Sequence, residues 1–561
     1  MSRYRSVRST RSLLRWARAT RPVSRRTVAV FGAGVAGLTA AHELAERGFA
    51  VTVYERKAIG GRARSTPPPG LDVALPAERG LRIRPGLDRN LTETMRRIPF
   101  PGNPNGCDDN LTSASSHRHT AVISGCRDRL PITPTEFIGA VAGVLGESGL
   151  SPGEASFAAR KLGVYATSCE ERRLGQWEYA SWGDYVRIEG SSPAYRRVVA
   201  DGLIRHLTPL RSGEVSAHSV GVVAESSVWS GMTTGRHDDR VLNGPASERW
   251  LEPWARHLRR LGVRFEVGWE LSAFDTEGRD VVAATVTDRA GGRRTVESDW
   301  YVSAIPVDKF NNVLTDRMIS TDSGLAGVRR LRTRWSSALQ FYLREPVPAT
   351  TGPVHHLDSP WALTSVSPAR FWPGGMTRYG DGTVQDCLST IVSDWSSPGM
   401  FDKRPAKACT PAEIAAETWA QVKAHLVEQG TVLRDEMLHS WRLDPAVIGS
   451  GTSGAYHDEP TFVPGPGSWS NRPASATGFG NLFLAGDWVR TDVNVASLEG
   501  ANEAGRRAVN ALLGAAGAGS PVAVHEPVRP AWADPFRVID RGRYRSGLRN
   551  VFDVTDTRAS G

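Results

Sequence analysis

Residues 28–38 read VAVFGAGVAGL, an apolar strand that runs through a glycine-rich turn into a helix. In this pattern Gly32 permits the tight turn, Gly34 lets the backbone approach a pyrophosphate, and Gly37 lets the helix pack closely on the strand. The first amides of the helix, at Val35 and Ala36, then face the phosphates. The stretch therefore predicts a dinucleotide-binding unit.

A second apolar strand, residues 51–55 (VTVYE), ends in Glu55, 18 residues beyond Gly37. A carboxylate at that position accepts hydrogen bonds from ribose hydroxyls and favours a ribose without a phosphate. Arg56, Gly61 and Arg62 follow the strand and are counted among the candidate cofactor residues.

A second motif, suited to a polyhydroxy ligand, lies near the other end of the chain. Residues 481–488 (NLFLAGDW) predict a strand that ends at Gly486 and Asp487, and residues 496–501 (ASLEGA) predict the start of a helix at Glu499, Gly500 and Ala501. Asp487 can accept a hydrogen bond from a sugar-alcohol hydroxyl. The helix start offers positive partial charge to the anion of a reduced isoalloxazine. The glycine-rich motif near the start of the chain and this second motif together predict FAD.

At these residues the chain resembles the FAD-dependent amine oxidase and phytoene desaturase superfamily. The closing motif is most similar to carotenoid desaturases and hydroxysqualene dehydroxylase-like proteins. The resemblance implies an α/β fold with α+β insertions, in which a Rossmann-type FAD-binding domain is interleaved with a substrate-binding domain. It also implies site roles: Gly32, Gly34, Gly37 and Arg62 at the pyrophosphate, Glu55 at the adenosine ribose, the backbone near Leu271 at adenine, Asp487 at the ribityl chain, and the turn of Glu499, Gly500 and Ala501 at the flavin ring.

The chain departs from those relatives in residues 78–86 (ERGLRIRPG). Where relatives carry a histidine and aromatic residues beside the flavin, this chain has Arg79, Leu81, Arg82 and Arg84. Three arginines near a flavin suit an anionic or polar ligand better than a polyene. A more polar substrate therefore stays open as an alternative.

The order of patterns along the chain predicts interleaved domains. We expect the FAD-binding domain to comprise residues 27–90, 250–310 and 475–515, and the substrate-binding domain to comprise 91–249 and 311–474. A basic arm, 1–26, precedes them, and a basic tail, 516–561, follows them.

Charge is concentrated in the arm, which holds nine arginines in 26 residues of a chain whose net charge is +10. Leu13, Leu14 and Trp16 make the arm weakly amphipathic, so we weigh contact with an anionic membrane surface against a solvated extension. We expect no nucleic acid partner. No run of 18 apolar residues is present, and the five cysteines lack zinc-site or disulfide-framework spacing. We therefore expect a cytoplasmic protein, peripheral to a membrane if the arm binds one, and no metal.

The predicted activity is that of an FAD-dependent oxidoreductase that desaturates or dehydroxylates an apolar, isoprenoid-type small molecule by hydride transfer at flavin N5. Two alternatives stay open. One is a flavin amine or amino-acid oxidase with a more polar substrate, and the other is a non-enzymatic prenyl-lipid escort on the same fold. Lys309 is interpreted as a surface lysine, and no catalytic residue is assigned.

Overall fold

The computed structural model describes residues 26–65, 75–78, 87–114, 131–202, 204, 210–234, 240–347, 352–356, 359–428 and 432–553. The predicted basic arm, apart from Arg26, lies outside these residues. So do Arg79, Leu81, Arg82 and Arg84, on which the expectation of a more polar ligand depends.

The strands are, in chain order, β1 Thr27–Phe31, β2 Ala50–Glu55, β3 Leu111–Ser113, β4 Arg240–Leu242, β5 Arg264–Val267, β6 Glu270–Glu277, β7 Asp280–Thr287, β8 Arg293–Val296, β9 Trp300–Ser303, β10 Arg332–Arg334, β11 Ser337–Leu343, β12 Val354–His356, β13 Leu363–Val366, β14 Asp386–Val392, β15 Leu438–Leu443, β16 Val447–Ile448, β17 Tyr456–His457, β18 Thr461–Val463 and β19 Leu482–Leu484.

The longer helices are α1 Val35–Glu46, α2 Arg89–Arg96, α3 Pro134–Glu147, α4 Pro152–Thr167, α5 Ala217–Thr234, α6 Glu252–Arg260, α7 Val307–Val313, α8 Pro411–Glu428, α9 Leu498–Ala516 and α10 Asp534–Arg545. Short helical segments lie at Gly61–Ala63, Gly106–Asn110, Glu170–Arg172, Arg173–Trp177, Trp182–Val186, Pro193–Tyr195, Arg196–Gly202, Ser247–Leu251, Asp316–Thr321, Ser323–Arg330, Pro368–Phe371, Met376–Arg378, Ala406–Ala408, Asp435–Met437, Ser468–Asn471 and Ala531–Ala533.

A five-stranded parallel sheet in the order β19-β9-β1-β2-β5 confirms the predicted Rossmann-type unit. Its strands β1, β9 and β19 are buried on both faces, as expected of a parallel sheet covered on both sides, whereas the edge strand β5 is partly exposed. Side chains of β1 alternate between two cores: Val28 and Val30 pack with α1, α6 and α9, and Ala29 and Phe31 pack with β6, β7 and α7. The carboxyl ends of β1, β2 and β19 therefore meet at one edge of this sheet.

An antiparallel sheet in the order β6-β7-β8 forms the connection between β5 and β9. A second five-stranded sheet, β12-β13-β14-β11-β15, is antiparallel throughout, and its core includes residues of α8. These are the α+β insertions expected of the fold.

A third, mainly helical region spans α3 to α5. Its core also takes in Val493 and Val495, which lie just before α9. In contrast, Leu91 and Met95 of α2, which the sequence assigns to the insertion, lie in the same core as Val28. Among the described residues, no helix has the length and apolar character needed to cross a bilayer.

Candidate functional site

The glycine-rich turn adopts a conformation that requires its glycines. Gly32 has a φ of +99°, and a Cβ on Gly37 would lie 1.8 Å from the carbonyl oxygen of Gly32. A Cβ on Gly61 would lie 2.9 Å from the Cα of Gly34. Gly37 thus serves the contact of α1 with the turn. Gly34 and Gly61 face each other without side chains and leave their backbone open to a ligand at the start of α1.

Glu55, at the end of β2, stabilises this turn by accepting backbone hydrogen bonds. One carboxylate oxygen accepts a 2.8 Å hydrogen bond from the Ala33 amide, and the other accepts a 2.8 Å hydrogen bond from the Lys57 amide. The same residue lines the cavity next to the turn. The acid predicted for a ribose therefore also holds the loop that would receive the phosphates.

Arg56 and Lys309 meet at Asp458. The Arg56 guanidinium donates to both Asp458 oxygens at 3.0 and 2.9 Å, and the Lys309 ammonium donates at 3.1 Å. Although burial opposes it, the hydrogen bonds from Arg56 and Lys57 hold the pKa of Asp458 well below its usual range. The interpretation of Lys309 as a surface lysine is wrong: it lies in the cavity wall because it shares a carboxylate with Arg56.

Arg62 and Asp487 form an ion pair that joins the two ends of the chain. Arg62 also donates to the Thr461 hydroxyl at 3.2 Å. Asp487 follows Gly486, whose φ is +130° and whose Cβ would lie 2.9 Å from the Trp488 indole nitrogen. The two charged side chains therefore stand in the cavity wall with each other's charge largely balanced.

Helix α9 begins at the cavity, with Ser497 as its N-cap, and the Ser497 hydroxyl accepts a 3.0 Å hydrogen bond from the Gly500 amide. The side chain of Glu499 points away from the cavity. Its carboxylate accepts three hydrogen bonds of 2.7 to 2.8 Å from Asn90 and Leu91, and burial together with the nearby Asp88 raises its pKa to about 8. The prediction for this turn thus needs a correction. Of Glu499, Gly500 and Ala501, only Ala501 lines the cavity, together with Ser497 and Leu498.

The cavity of about 400 Å³ collects most of the predicted cofactor residues. They are Gly32, Gly34, Val35, Ala36, Glu55, Arg56, Gly61, Arg62, Leu271, Gly486, Asp487 and Ala501. Leu271, at the start of β6, also borders a second, open pocket of about 340 Å³ beyond Arg56 and Lys309. One elongated site therefore runs from Leu271 to the start of α9.

The opposite wall of the cavity combines Glu78 with residues of the second insertion and was not found from the sequence. It includes Glu78, Ser336, Ser337, Ala338 and Ile391. Burial raises the pKa of the Glu78 carboxyl to about 7, and weak hydrogen bonds of 3.3 and 3.4 Å from the Ala246 amide are its backbone contacts. No local pattern in the sequence distinguishes Glu78 from a surface glutamate.

A cluster of His42, Glu46 and His257 offers three atoms at metal-ligand spacing. The Trp254 indole N–H, however, donates to Nδ1 of His42 at 3.2 Å, so Nε2 of His42 carries the proton and faces Glu46 at 3.0 Å. A metal ion needs an unprotonated nitrogen. This geometry opposes metal binding.

The residues present fit FAD. The glycine pair at Gly34 and Gly61 forms a cradle that a Cβ would fill, and the helix start behind it points amides at the same space. The Arg62–Asp487 pair offers a cation to a pyrophosphate and an acceptor to a sugar alcohol. These features fit the pyrophosphate and the ribityl chain of FAD.

Comparison with known proteins agrees with this fit. The family of flavin containing amine oxidoreductases matches residues 35–513. The chain is 24% identical to the zeta-carotene desaturase of Synechocystis sp., over 87% of this chain and 97% of the relative. It is also 24% identical to a zeta-carotene desaturase of Capsicum annuum, over 86% and 80%.

Among solved structures, the cyclohexylamine oxidase of Brevibacterium oxydans shares the fold at a TM-score of 0.54 and 15% identity, over 88% of this chain and 99% of that one. The family match covers residues 35–513, which is most of the chain. The chain belongs to the flavin containing amine oxidoreductase family and is an FAD-dependent oxidoreductase.

Proposed function

We propose that the protein desaturates or dehydroxylates an apolar, isoprenoid-type substrate. The observation that carries this proposal is one cavity with two unlike walls. The glycine cradle forms one wall, and beyond it Ala338, Ile391 and Leu498 supply apolar side chains to a wall that also holds Glu78. The two relatives named as zeta-carotene desaturases support the same substrate class.

In this proposal each predicted site residue contacts a defined part of FAD. Gly32, Gly34, Val35, Ala36, Gly61 and Arg62 hold the pyrophosphate, Glu55 and Arg56 the adenosine side, Asp487 the ribityl chain, and the start of α9 at Ala501 the ring. FAD, when bound, supplies the hydride acceptor. The apolar wall positions a substrate C–H bond and excludes water.

Desaturation also releases a proton from the neighbouring carbon, and a group must accept it. Glu78 is a buried carboxyl in the cavity wall, and its pKa of about 7 lets it exchange a proton near neutral pH. We assign Glu78 as the proton acceptor. The balance is then one hydride to the cofactor, one proton to the Glu78 carboxylate, and a new C=C bond in the substrate. In a dehydroxylation, hydride would flow in the reverse direction and the carboxyl would protonate the leaving hydroxyl.

The amine oxidase alternative rests on a lysine near the flavin that assists oxygen chemistry. Lys309 is the candidate in the cavity wall, but it shares Asp458 with Arg56, at the end of β2, rather than standing beside Ser497 and Ala501. This placement favours the desaturase over the oxidase. The escort alternative does not fit a chain that belongs to an enzyme family and keeps the Arg62–Asp487 pair.

The proposed setting is the cytoplasm, with the basic arm, residues 1–26, touching an anionic membrane surface where an apolar substrate would reside. The proposed FAD-binding domain comprises residues 27–90, 250–310 and 475–515, with α2 packed against its core, and the insertions between these ranges form the proposed substrate-binding domain.

Anaerobic flavin bleaching tests this function. We expect zeta-carotene in detergent micelles to reduce the flavin of the holoenzyme and cyclohexylamine to leave it oxidised. Bleaching by the amine alone would overturn the desaturase in favour of the oxidase. Bleaching by neither compound, under conditions where dithionite reduces the flavin, would reject desaturation and amine oxidation and leave dehydroxylation, in which the substrate instead oxidises the reduced flavin.

A further inference from the structure

Helix α10 is held to the rest of the protein by polar contacts. Asp540, 1% exposed, accepts hydrogen bonds at 3.0 Å from Nε of Arg172 to each of its oxygens and at 2.9 Å from the Cys169 amide. Arg537 donates to the Glu225 carboxylate at 2.7 Å and to the Ala166 carbonyl at 2.9 Å. The inner face of this helix therefore buries charged side chains.

The outer face of the same helix carries aliphatic side chains. Val538 is 66% exposed and Ile539 is 52% exposed. After α10 the chain folds back, with the Leu548 amide donating to the Arg543 carbonyl at 2.8 Å and the Asn550 amide group donating to Asp540 at 3.0 Å. This returning segment exposes Leu548 and Val551 by about half. Charged groups inside and aliphatic groups outside reverse the pattern of an ordinary surface helix.

Exposed arginines accompany these aliphatic side chains. Arg541, Arg545 and Arg549 are exposed, and Glu171 is the acid that faces the first two, at 3.0 and 2.9 Å. The three aspartates between residues 534 and 553 are engaged with Arg537, Arg172 and Lys161. The outward charge of the segment is therefore positive.

We propose that the outer face of α10 with Val538 and Ile539, the C-terminal patch, docks the protein on an anionic lipid bilayer. Aliphatic side chains enter the interface while the flanking arginines contact phosphate headgroups, which is the arrangement of interfacial helices. A second copy of the chain fits less well, because a two-fold contact would place one arginine rim against the other. This docking goes beyond the proposed catalysis and beyond the arm, since it uses a separate, folded surface.

Vesicle flotation with the full chain tests the docking. We compare the wild type, the Val538→Ser/Ile539→Ser variant and a matched Val432→Ser/Ile448→Ser control, whose two residues are 57% and 37% exposed in another part of the protein. With vesicles of equal parts phosphatidylcholine and phosphatidylglycerol, the patch variant is expected to partition about tenfold less than the wild type. The control is expected to match the wild type, and vesicles of phosphatidylcholine alone should bind all three weakly.

All variants keep the basic arm, so equal flotation of the patch variant and the wild type would overturn the proposal. So would an absence of wild-type binding to the anionic vesicles. A concentration-dependent dimer in ultracentrifugation that the patch variant loses would assign the surface to a second copy instead. Flavin absorbance of each variant checks that the fold is intact, and because no step needs turnover, a failure here is separate from a failure of the proposed reaction.

Discussion

The two walls of the cavity are built in different ways. The cofactor wall consists of backbone, a glycine pair and the Arg62–Asp487 ion pair, all carried by turns that follow parallel strands. The opposite wall gathers side chains such as Glu78, Ser337 and Ile391 from separate segments. A cofactor shared by a whole family can be held by backbone geometry, whereas substrate choice depends on side chains that differ between members.

The largest effect should come from a matched pair of alanines in the glycine turn. Gly37→Ala places a Cβ 1.8 Å from a backbone oxygen, so we expect the free energy of unfolding to fall by about 3 kcal/mol or more. Gly34→Ala has an allowed φ of −74°, and its Cβ would lie 3.9 Å from the nearest atom, the Cα of Gly61. Urea unfolding of the apoprotein should therefore change little for Gly34→Ala, by about 0.5 kcal/mol at most, while titration shows weaker FAD binding. Equal loss of stability in the two variants would remove the distinction between packing and cofactor glycines.

Glu78→Gln tests the opposite wall. Removal of the proton acceptor should slow substrate-dependent flavin reduction about 100-fold and leave FAD binding intact. Because the wild-type carboxyl accepts a proton only when ionised, and its pKa is raised to about 7, the wild-type rate should rise as pH increases through 7 and then level off. Stopped-flow measurement of flavin reduction at several pH values gives both the rate and its pH dependence. The charge of Glu248 contributes to raising the pKa of Glu78, so Glu248→Gln serves as a matched control. In this variant the rate of flavin reduction should rise at a lower pH and reach the same plateau. An unchanged profile in Glu78→Gln would reject the role.

Substitutions in the Arg62–Asp487 ion pair, which joins the two cofactor motifs, should have a moderate effect on FAD binding. Arg62→Met or Asp487→Asn alone should weaken FAD binding about tenfold, because each leaves its partner unbalanced in a half-buried site. The double variant should cost less than the sum of the two, which isothermal titration can resolve. Strictly additive losses would mean that the two side chains act on the cofactor independently.

Lys309→Met should have the smallest effect. Its ammonium shares Asp458 with Arg56, so we expect flavin reoxidation by oxygen to change by less than about threefold. Rapid mixing of the reduced enzyme with oxygenated buffer gives this rate. A large fall in reoxidation would place Lys309 in oxygen chemistry and favour the oxidase alternative.

The same contrast explains what could be predicted from the sequence. β1, β2, β19 and the turns after them were found because the strand, the glycines and the acid are neighbours in sequence. The pairing of Lys309 with Asp458 was missed because 149 residues separate them and only the fold brings them together.

The positions of Glu78 and Glu499 were not predicted for a similar reason. Glu78 is buried because Gln340 and Ser389, on two strands of the second sheet, both donate to its carbonyl oxygen. Glu499 turns away from the cavity because Asn90 and Leu91, at the start of α2, need an acceptor. Which way a side chain points depends on long-range partners that periodicity does not reveal.

The strand order β19-β9-β1-β2-β5 has a consequence for how the protein is made. During synthesis β1 emerges early, but its neighbour β9 appears only near residue 300, and β19 only near residue 482. Most of the chain must therefore be synthesised before the sheet edge that holds the cofactor can form. Until β9 and β19 have been synthesised, β1 lacks part of its packing, so we expect flavin capture to be a late event in maturation.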